Sequence, residues 1–246
     1  MTGLPHMSAL HAVTEATWPA ASLRRSGDWI IRDGQGGGKR VSAATLAGDA
    51  ATVDIAAAEI AMQKLGQTPL FQIRHGEQVL DARLAEAGYQ GIDPVNAYAC
   101  TIDSLTRDSP PRVTTFDIWE PMAIQLDIWK AGGIGRERIA VMHRAACPKT
   151  ALFGRHDNRP AATGFVAVHD GIAMIHALEV LERDRRAGMG RHLTRHAAHW
   201  AARHGAGHLA VLCTRANAGA NALYASLGMT LVGQYHYRIK EDTAPL

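Results

Sequence analysis

The sequence predicts a mixed α/β fold. Helical and strand-like periodicities alternate along the chain, and one strand–helix–strand pattern occurs twice. Composition agrees: 47 % apolar and 20 % charged residues suit a packed core and not a disordered chain. A length of 246 residues allows one large or two small domains.

In chain order, residues 29–32 (Trp-Ile-Ile-Arg) read as a short strand, stopped by Asp33 and the glycine-rich stretch 34–38. Residues 39–46 are expected as its hairpin partner, because glycine allows the positive φ of a tight turn. Apolar residues at 53, 57, 60, 61 and 65 have helical spacing, and Gly66 ends that helix. Residues 70–73 form a strand after Pro69, 78–87 a helix stopped by Gly88, and 95–102 a strand. Residues 103–112 are polar and hold Pro110-Pro111, which favours an extended connector. This divides the chain into a domain at 1–105, a linker at 106–112 and a domain at 113–246, unless the two halves share one sheet.

The second part begins with helices at 121–130 and 136–146, parted by Gly132-Gly133. Strands at 150–155, 163–169 and 172–181 follow, joined by turns at Asp157-Asn158 and Asp170-Gly171. An alanine-rich helix covers 191–204 and ends at Gly205. The strand 208–214, the helix 218–227 closed by Gly228 and the strand 230–239 complete the chain. The ending repeats an earlier unit. Residues 70–74, a helix and Ala87-Gly88-Tyr89 align with 209–213, a helix and Leu227-Gly228-Met229, at offsets of 139 and 140.

A net charge of +3 lacks the concentrated basic stripe of a nucleic-acid binder. No apolar run reaches the ~18 residues of a membrane helix, and Met1–Leu10 lacks a secretory pattern. Cys100, Cys147 and Cys213 are odd in number and scattered, which argues against a disulfide framework or zinc ribbon. A soluble protein of the reducing cytoplasm is expected.

The chemistry-bearing segment is Val180-Leu-Glu-Arg-Asp-Arg185-Arg-Ala-Gly188-Met-Gly190-Arg191, after a strand and opening a helix. A helix start presents unpaired N–H groups and a partial positive charge, a seat for phosphate. Gly188 and Gly190 are read as clearing side chains from that seat. Arg185, Arg186 and Arg191 add charge suited to a pyrophosphate. A basic, solvated turn fits the same residues. A P-loop is excluded because Arg191-His192 follows Gly190, and a dinucleotide fingerprint because Leu193 replaces its third glycine.

What remains is R-x-x-G-x-G after Leu178-Glu179-Val180, and here the chain resembles the GNAT acetyltransferase superfamily. Asn217, Tyr224 and Leu227-Gly228-Met229 stand downstream in that family's order, so the resemblance covers roughly residues 113–240. It implies two GNAT-like halves, each a central mixed sheet flanked by helices. The first is a degenerate copy: it lacks R-x-x-G-x-G, and Leu84 stands where the repeat places Tyr224. Glu182 departs from the family, many of whose members have proline there.

The resemblance implies acetyl-CoA as cosubstrate, no metal, and a small-molecule or peptide amine as acceptor; a homodimer is allowed. Leu178 and Val180 would pair with the pantetheine arm. The amides of Arg186, Ala187, Gly188, Met189, Gly190 and Arg191 would hold the pyrophosphate, with Arg185 beside them. Asn217 would contact the arm or cap its helix. Tyr224 is the expected general acid and Glu179 the candidate base. His176 is a second base candidate, placed by strand alternation on the opposite face from Glu179. Glu120, Asp127 and Glu179 would suit a cationic amine if they border one groove. His192, His196 and His199 share a helix face without the Glu of a zinc motif and read as a solvated or cofactor-adjacent stripe. Trp119, Trp129, Trp200 and Cys213 read as packing residues. A non-catalytic acyl-CoA-binding module, in which Tyr224 only packs, is the alternative. A nucleotide-binding protein using the same turn is a poorer one.

Overall fold

The computed structural model describes residues 3–240. Its first elements are α1 (Met7–Thr17), β1 (Ser22–Ser26), β2 (Trp29–Asp33), α2 (Lys39–Ser42), β3 (Thr45–Leu46), α3 (Ile55–Gln63) and β4 (Leu70–Ile73). They continue with α4 (Gln78–Glu86), β5 (Gln90–Thr101), α5 (Ile102–Thr106), β6 (Thr115–Ile118), α6 (Ala123–Ala131) and α7 (Arg136–Arg144). The last are β7 (Lys149–His156), β8 (Arg159–His169), β9 (Ile172–Val180), α8 (Met189–Arg203), β10 (His208–Thr214), α9 (Ala218–Ser226) and β11 (Thr230–Ile239). Among the described residues no helix is long and apolar enough to cross a membrane.

Two compact units interleave along the chain instead of parting at 106–112. The larger holds the chain up to Pro19, Ala97–Cys213 and Asn217–Val232; the smaller holds Ala20–Asn96, Thr214–Ala216 and the chain from Gly233.

In the larger unit, β6, β7, β8 and β9 run antiparallel, β10 is parallel to β9, and β5 lies on the far side of β10. Both faces of this mixed sheet are covered, which is why its strands read as continuous apolar runs. Ile172, Met174 and Ala210 face Leu10 and Val13 of α1, whereas Ala173, Ile175, Leu209 and Val211 face Leu193, Ala197 and Trp200 of α8. That alternation is the two-residue period of a strand. The four-residue spacing of Met189, Leu193, Ala197 and Ala201 is the apolar stripe of α8. The two hairpin turns have the expected chemistry: Asp157-Asn158 and Asp170-Gly171 all take positive φ.

In the smaller unit, β1, β2 and β3 form an antiparallel sheet. Trp29 and Ile31 of β2 pack with Ala58 and Met62 of α3 and with Phe71 of β4. β4 pairs antiparallel with β11, His236 opposite Ile73.

The partner of residues 29–32 differs from expectation. β1 pairs along the whole of β2, while residues 39–42 coil into α2 and leave two residues of β3 on the other edge. Gly38, at φ 97°, reverses the chain directly into that helix. Residues 102–106 are helical where the end of a strand at 102 and an extended connector from 103 were expected, because Ile102 and Leu105 are buried and hold them to the core. α1, β1 and β6 lacked a sequence signal.

The bend in β9 is fixed by a single buried donor. Trp129, fully buried, donates from Nε1 to the Ala177 carbonyl at 2.7 Å. Trp129→Phe keeps most of the volume and orphans that acceptor. Urea denaturation should show a loss of about 1–3 kcal/mol.

Candidate active site

Parallel pairing of β10 with β9 runs from His208 opposite Ile172 to Val211 opposite Ile175 and stops there, although both strands continue. Residues 176–180 of β9 therefore keep an edge beyond the end of that ladder. On the other edge of β9, Thr163 pairs with Glu179 and Phe165 with His176, so Ala177 and Leu178 together oppose Gly164. This is a β-bulge, which bends and twists its strand. Ala177 sits at φ +50°, a strained region for a residue with a side chain, and the Trp129 bond holds it there.

The bulge changes side-chain direction. Strand alternation was expected to set His176 and Glu179 on opposite faces. The extra residue shifts the phase, and the two pair with Phe165 and Thr163, which share one face of β8. His176 is nonetheless remote from chemistry: it is buried, bonded to the Thr17 hydroxyl at 2.9 Å and stacked on Trp18.

Glu179 is half-buried beside Gly132, where a Cβ would stand 2.5 Å from its Cδ. Burial pushes its carboxyl above the usual carboxylate range, and the Arg185 guanidinium, 3.6 Å away, partly offsets this. Arg185 also donates from Nε to the Val180 carbonyl at 3.3 Å. Its side chain thus folds back over the strand.

Past Val180, the Leu181 N–H bonds to the Ala161 carbonyl, and a 3₁₀ turn spans Glu182–Asp184. His156 and Arg183 tether Asp184 at 3.0 and 3.2 Å. Arg186 is exposed at φ +66°. Gly188 takes the left-handed conformation, φ +82°, as the N-cap of α8. The first turn of α8 carries no acidic residue, and the Met189, Gly190 and Arg191 N–H groups precede the first intrahelical bond, His192 to Gly188.

The two glycines differ in their local surroundings. Gly188 supplies a backbone angle. Gly190 supplies closeness to α9, since a Cβ there would lie 2.8 Å from Leu223 Cδ2. Ala187 is half-buried, and the Met189 side chain packs in the core, so only its N–H faces the turn's chemistry. Arg191 donates to the Ser226 hydroxyl at 3.1 Å, a second tie between α8 and α9.

Asn217 caps α9: its side-chain oxygen accepts from the Ala220 N–H at 3.0 Å. Tyr224 is 5 % exposed, and burial, then Cys213, push its hydroxyl above the usual phenol range. Tyr98 of β5 lies with its ring 6.0 Å from that of Tyr224 and donates to Asn221 Oδ1 at 3.0 Å. Cys213 donates to the same oxygen at 3.6 Å. No sequence signal marks Tyr98 as part of this group, because it belongs to the first half of the chain.

Other candidates are dispersed. His196 bridges Thr115 and Asp117 at 2.9 and 2.8 Å, His199 meets the Asp108 carbonyl at 3.3 Å, and His192 faces Arg191 and Arg195. Burial lowers the pKa of His192 and of His196. Among the described residues no group of three or more His, Cys, Asp or Glu is placed to hold a metal ion. Among the described residues no hydrogen bond or ion pair joins Glu120 or Asp127 to Glu179. Trp119 packs on Phe165 and His143 under the Lys149 ammonium, and Trp200 stacks on His204.

Residues 118–229, from the end of β6 through α9, match the model of the Acetyltransferase (GNAT) family. The chain is 28 % identical over 242 residues to "Uncharacterized N-acetyltransferase YobR" of Bacillus subtilis, covering 94 % of this chain and 97 % of that one. A GCN5-related N-acetyltransferase from Kribbella flavida has a similar structure, with a TM-score of 0.68, 17 % identity and 95 % coverage of each chain. So does a functionally unknown conserved protein from Staphylococcus epidermidis, with a TM-score of 0.67, 13 % identity and coverage of 91 % and 95 %.

Gly188→Ala tests the turn. Placing a side chain at φ +82° should lower stability by about 1 kcal/mol in urea denaturation.

Proposed function

We propose that this GNAT-type acetyltransferase moves an acetyl group from acetyl-CoA to a primary amine of a small molecule or peptide, by direct attack with both substrates bound. The end of the β9–β10 ladder at Ile175 and Val211 carries this reading. Backbone groups need partners, and beyond that point β9 can offer the Leu178 and Val180 peptides to the amide-bearing pantetheine arm. The open N–H groups at the start of α8 follow at once, with Arg186 exposed and no carboxylate in the first helical turn. This donor set fits a pyrophosphate. Residues 186–191 would hold it, with Arg185 and Arg191 as flanking charge. The Asn217 side-chain oxygen is engaged in its cap, which leaves its amide nitrogen for the arm.

When bound, acetyl-CoA supplies a thioester carbonyl as the acyl donor. Glu179 takes a proton from the incoming ammonium, a task its raised proton affinity suits. Tyr224 keeps its proton across the working range, because burial disfavours the phenolate, and donates toward the departing sulfur. Gly132 leaves room for the Glu179 carboxyl.

We assign these roles to residues 113–246 and read residues 1–105 as a degenerate copy without a cofactor turn. Three free thiols accord with a cytoplasmic location. The burial of Tyr224 and the capping by Asn217 also suit an acyl-CoA-binding module without turnover, and kinetics separate the two.

With a panel of amines, Tyr224→Phe should lower kcat by about 100-fold or more while calorimetry shows unchanged affinity for coenzyme A. Absence of wild-type turnover with intact binding would favour the binding module. Glu179→Gln should remove the acid limb of the pH–rate profile. In the wild type that limb falls as pH drops through the raised Glu179 pKa, because only the ionised carboxylate accepts a proton.

A further inference from the structure

The geometry points to Asn221 as a positioning residue for acetyl transfer: it holds Tyr98 as a fixed wall against which the proposed acid, Tyr224, is set. This rests on the reading of Tyr224 as the acid. Every residue involved belongs to the larger unit.

Asn221 precedes Tyr224 by three residues on α9, and residues at that spacing share a side of a helix. Its side chain joins α9 to two strands. Nδ2 donates to the Asn217 carbonyl at 2.7 Å, while Oδ1 accepts from the Tyr98 hydroxyl of β5 at 3.0 Å and from the Cys213 thiol of β10 at 3.6 Å. These partners fix the orientation of the amide. A carbonyl can only accept, so the nitrogen faces Asn217 and the oxygen faces Tyr98 and Cys213. Cys213 stands past Val211, where the ladder with β9 has ended. Asn221 thus ties the start of α9 to β5 and to the open end of β10.

The same bonds separate the two phenols. Burial and Cys213 act on the Tyr224 hydroxyl, and among the described residues no hydrogen bond does. Its proton is therefore uncommitted, and its direction is set by what the ring packs against. The Tyr98 ring is one of those surfaces, with centroids 6.0 Å apart and planes tilted by 42°. A tyrosine ring turns about two side-chain torsions, and a hydrogen bond at its far end restrains both. With Asn221 as acceptor, Tyr98 has its proton engaged and its ring held. Tyr224 is left as the phenol that can donate to a departing thiolate. Small errors in the placement of such a donor are costly to rate.

Kinetics on the full chain test this with a double-mutant cycle. In the wild-type background, Asn221→Ala and Tyr98→Phe should each lower kcat about fivefold, the rate equivalent of one net hydrogen bond. Calorimetry should show the Kd for coenzyme A unchanged in both. In a Tyr224→Phe background the same two substitutions should leave the residual kcat as it is, because a positioning residue acts only through the group it positions. Circular dichroism and Tm confirm that each variant is folded. Tyr98→Phe, which keeps the ring, carries the test if Asn221→Ala is unstable. Equal losses in both backgrounds would mark a general structural role and overturn the inference, as would no loss in the wild-type background. Tyr224→Phe is read separately. If it leaves kcat intact, or the wild type shows no turnover, the acid reading fails and this inference with it; a lowered kcat followed by equal losses sinks this inference alone.

Discussion

The site depends on a backbone ladder that ends early. Up to Ile175 and Val211, β9 and β10 pair with one another; beyond, the ladder does not continue. The bulge at Ala177 and Leu178 gives a physical cause, since two residues facing one add twist on that side of the strand. A left-handed alanine is unfavourable by itself and persists only when its surroundings fix it. Trp129 does this from inside α6, with its indole N–H on the Ala177 carbonyl. The tryptophan predicted as a packing anchor is that, and it also sets the shape of the strand.

From that bend the remaining features follow in sequence. The strand feeds a 3₁₀ turn, the turn a left-handed glycine, and the glycine a helix whose opening N–H groups have no intrahelical acceptor. The 3₁₀ turn carries Glu182 and Asp184, whereas the first turn of α8 places its donors without a negative side chain among them. Arg185 lies back along the strand on Glu179 and Val180, so it tunes the carboxyl as well as adding charge. Removing Arg185 from Glu179 would leave burial opposed only by the Val180 backbone hydrogen bond, and would give a still higher proton affinity.

Much of this was legible in the residues. The strands at 208–214 and 230–239 stand where their β-branched and aromatic pattern set them. The helix before Gly205, and both hairpin turns, follow from periodicity and from residues that tolerate positive φ. The R-x-x-G-x-G turn was legible as a turn, but not the reason for each glycine. Whether position 190 needs closeness to Leu223 or to a ligand depends on α9, which is tertiary information. α1 was missed because its buried face is short, with Leu10 and Val13 set among threonines and alanines. The bulge was invisible too, so a parity argument put His176 on the wrong face. Register defects carry no composition signal, and one extra residue inverts every assignment beyond it.

The interleaving of the units has a related explanation. The motifs β4–α4–β5 and β10–α9–β11 share one order, yet neither closes on itself. In the larger unit the strand beside β10 is β5, the last strand of the first motif. In the smaller unit the strand beside β4 is β11, the last strand of the second. Each unit therefore takes an internal strand from the other half of the chain. A cut at 106–112 would remove β5 from beside β10 and β11 from beside β4, and leave unpaired edges of the kind that drive aggregation. The exchange also bears on chemistry. Tyr98 reaches Asn221 and the ring of Tyr224 only because β5 is built into the larger unit. The first half, which lacks the glycine turn, still contributes a side chain to the neighbourhood of the proposed acid. For that reason the segment that matches the acetyltransferase family is not the whole of what shapes its site.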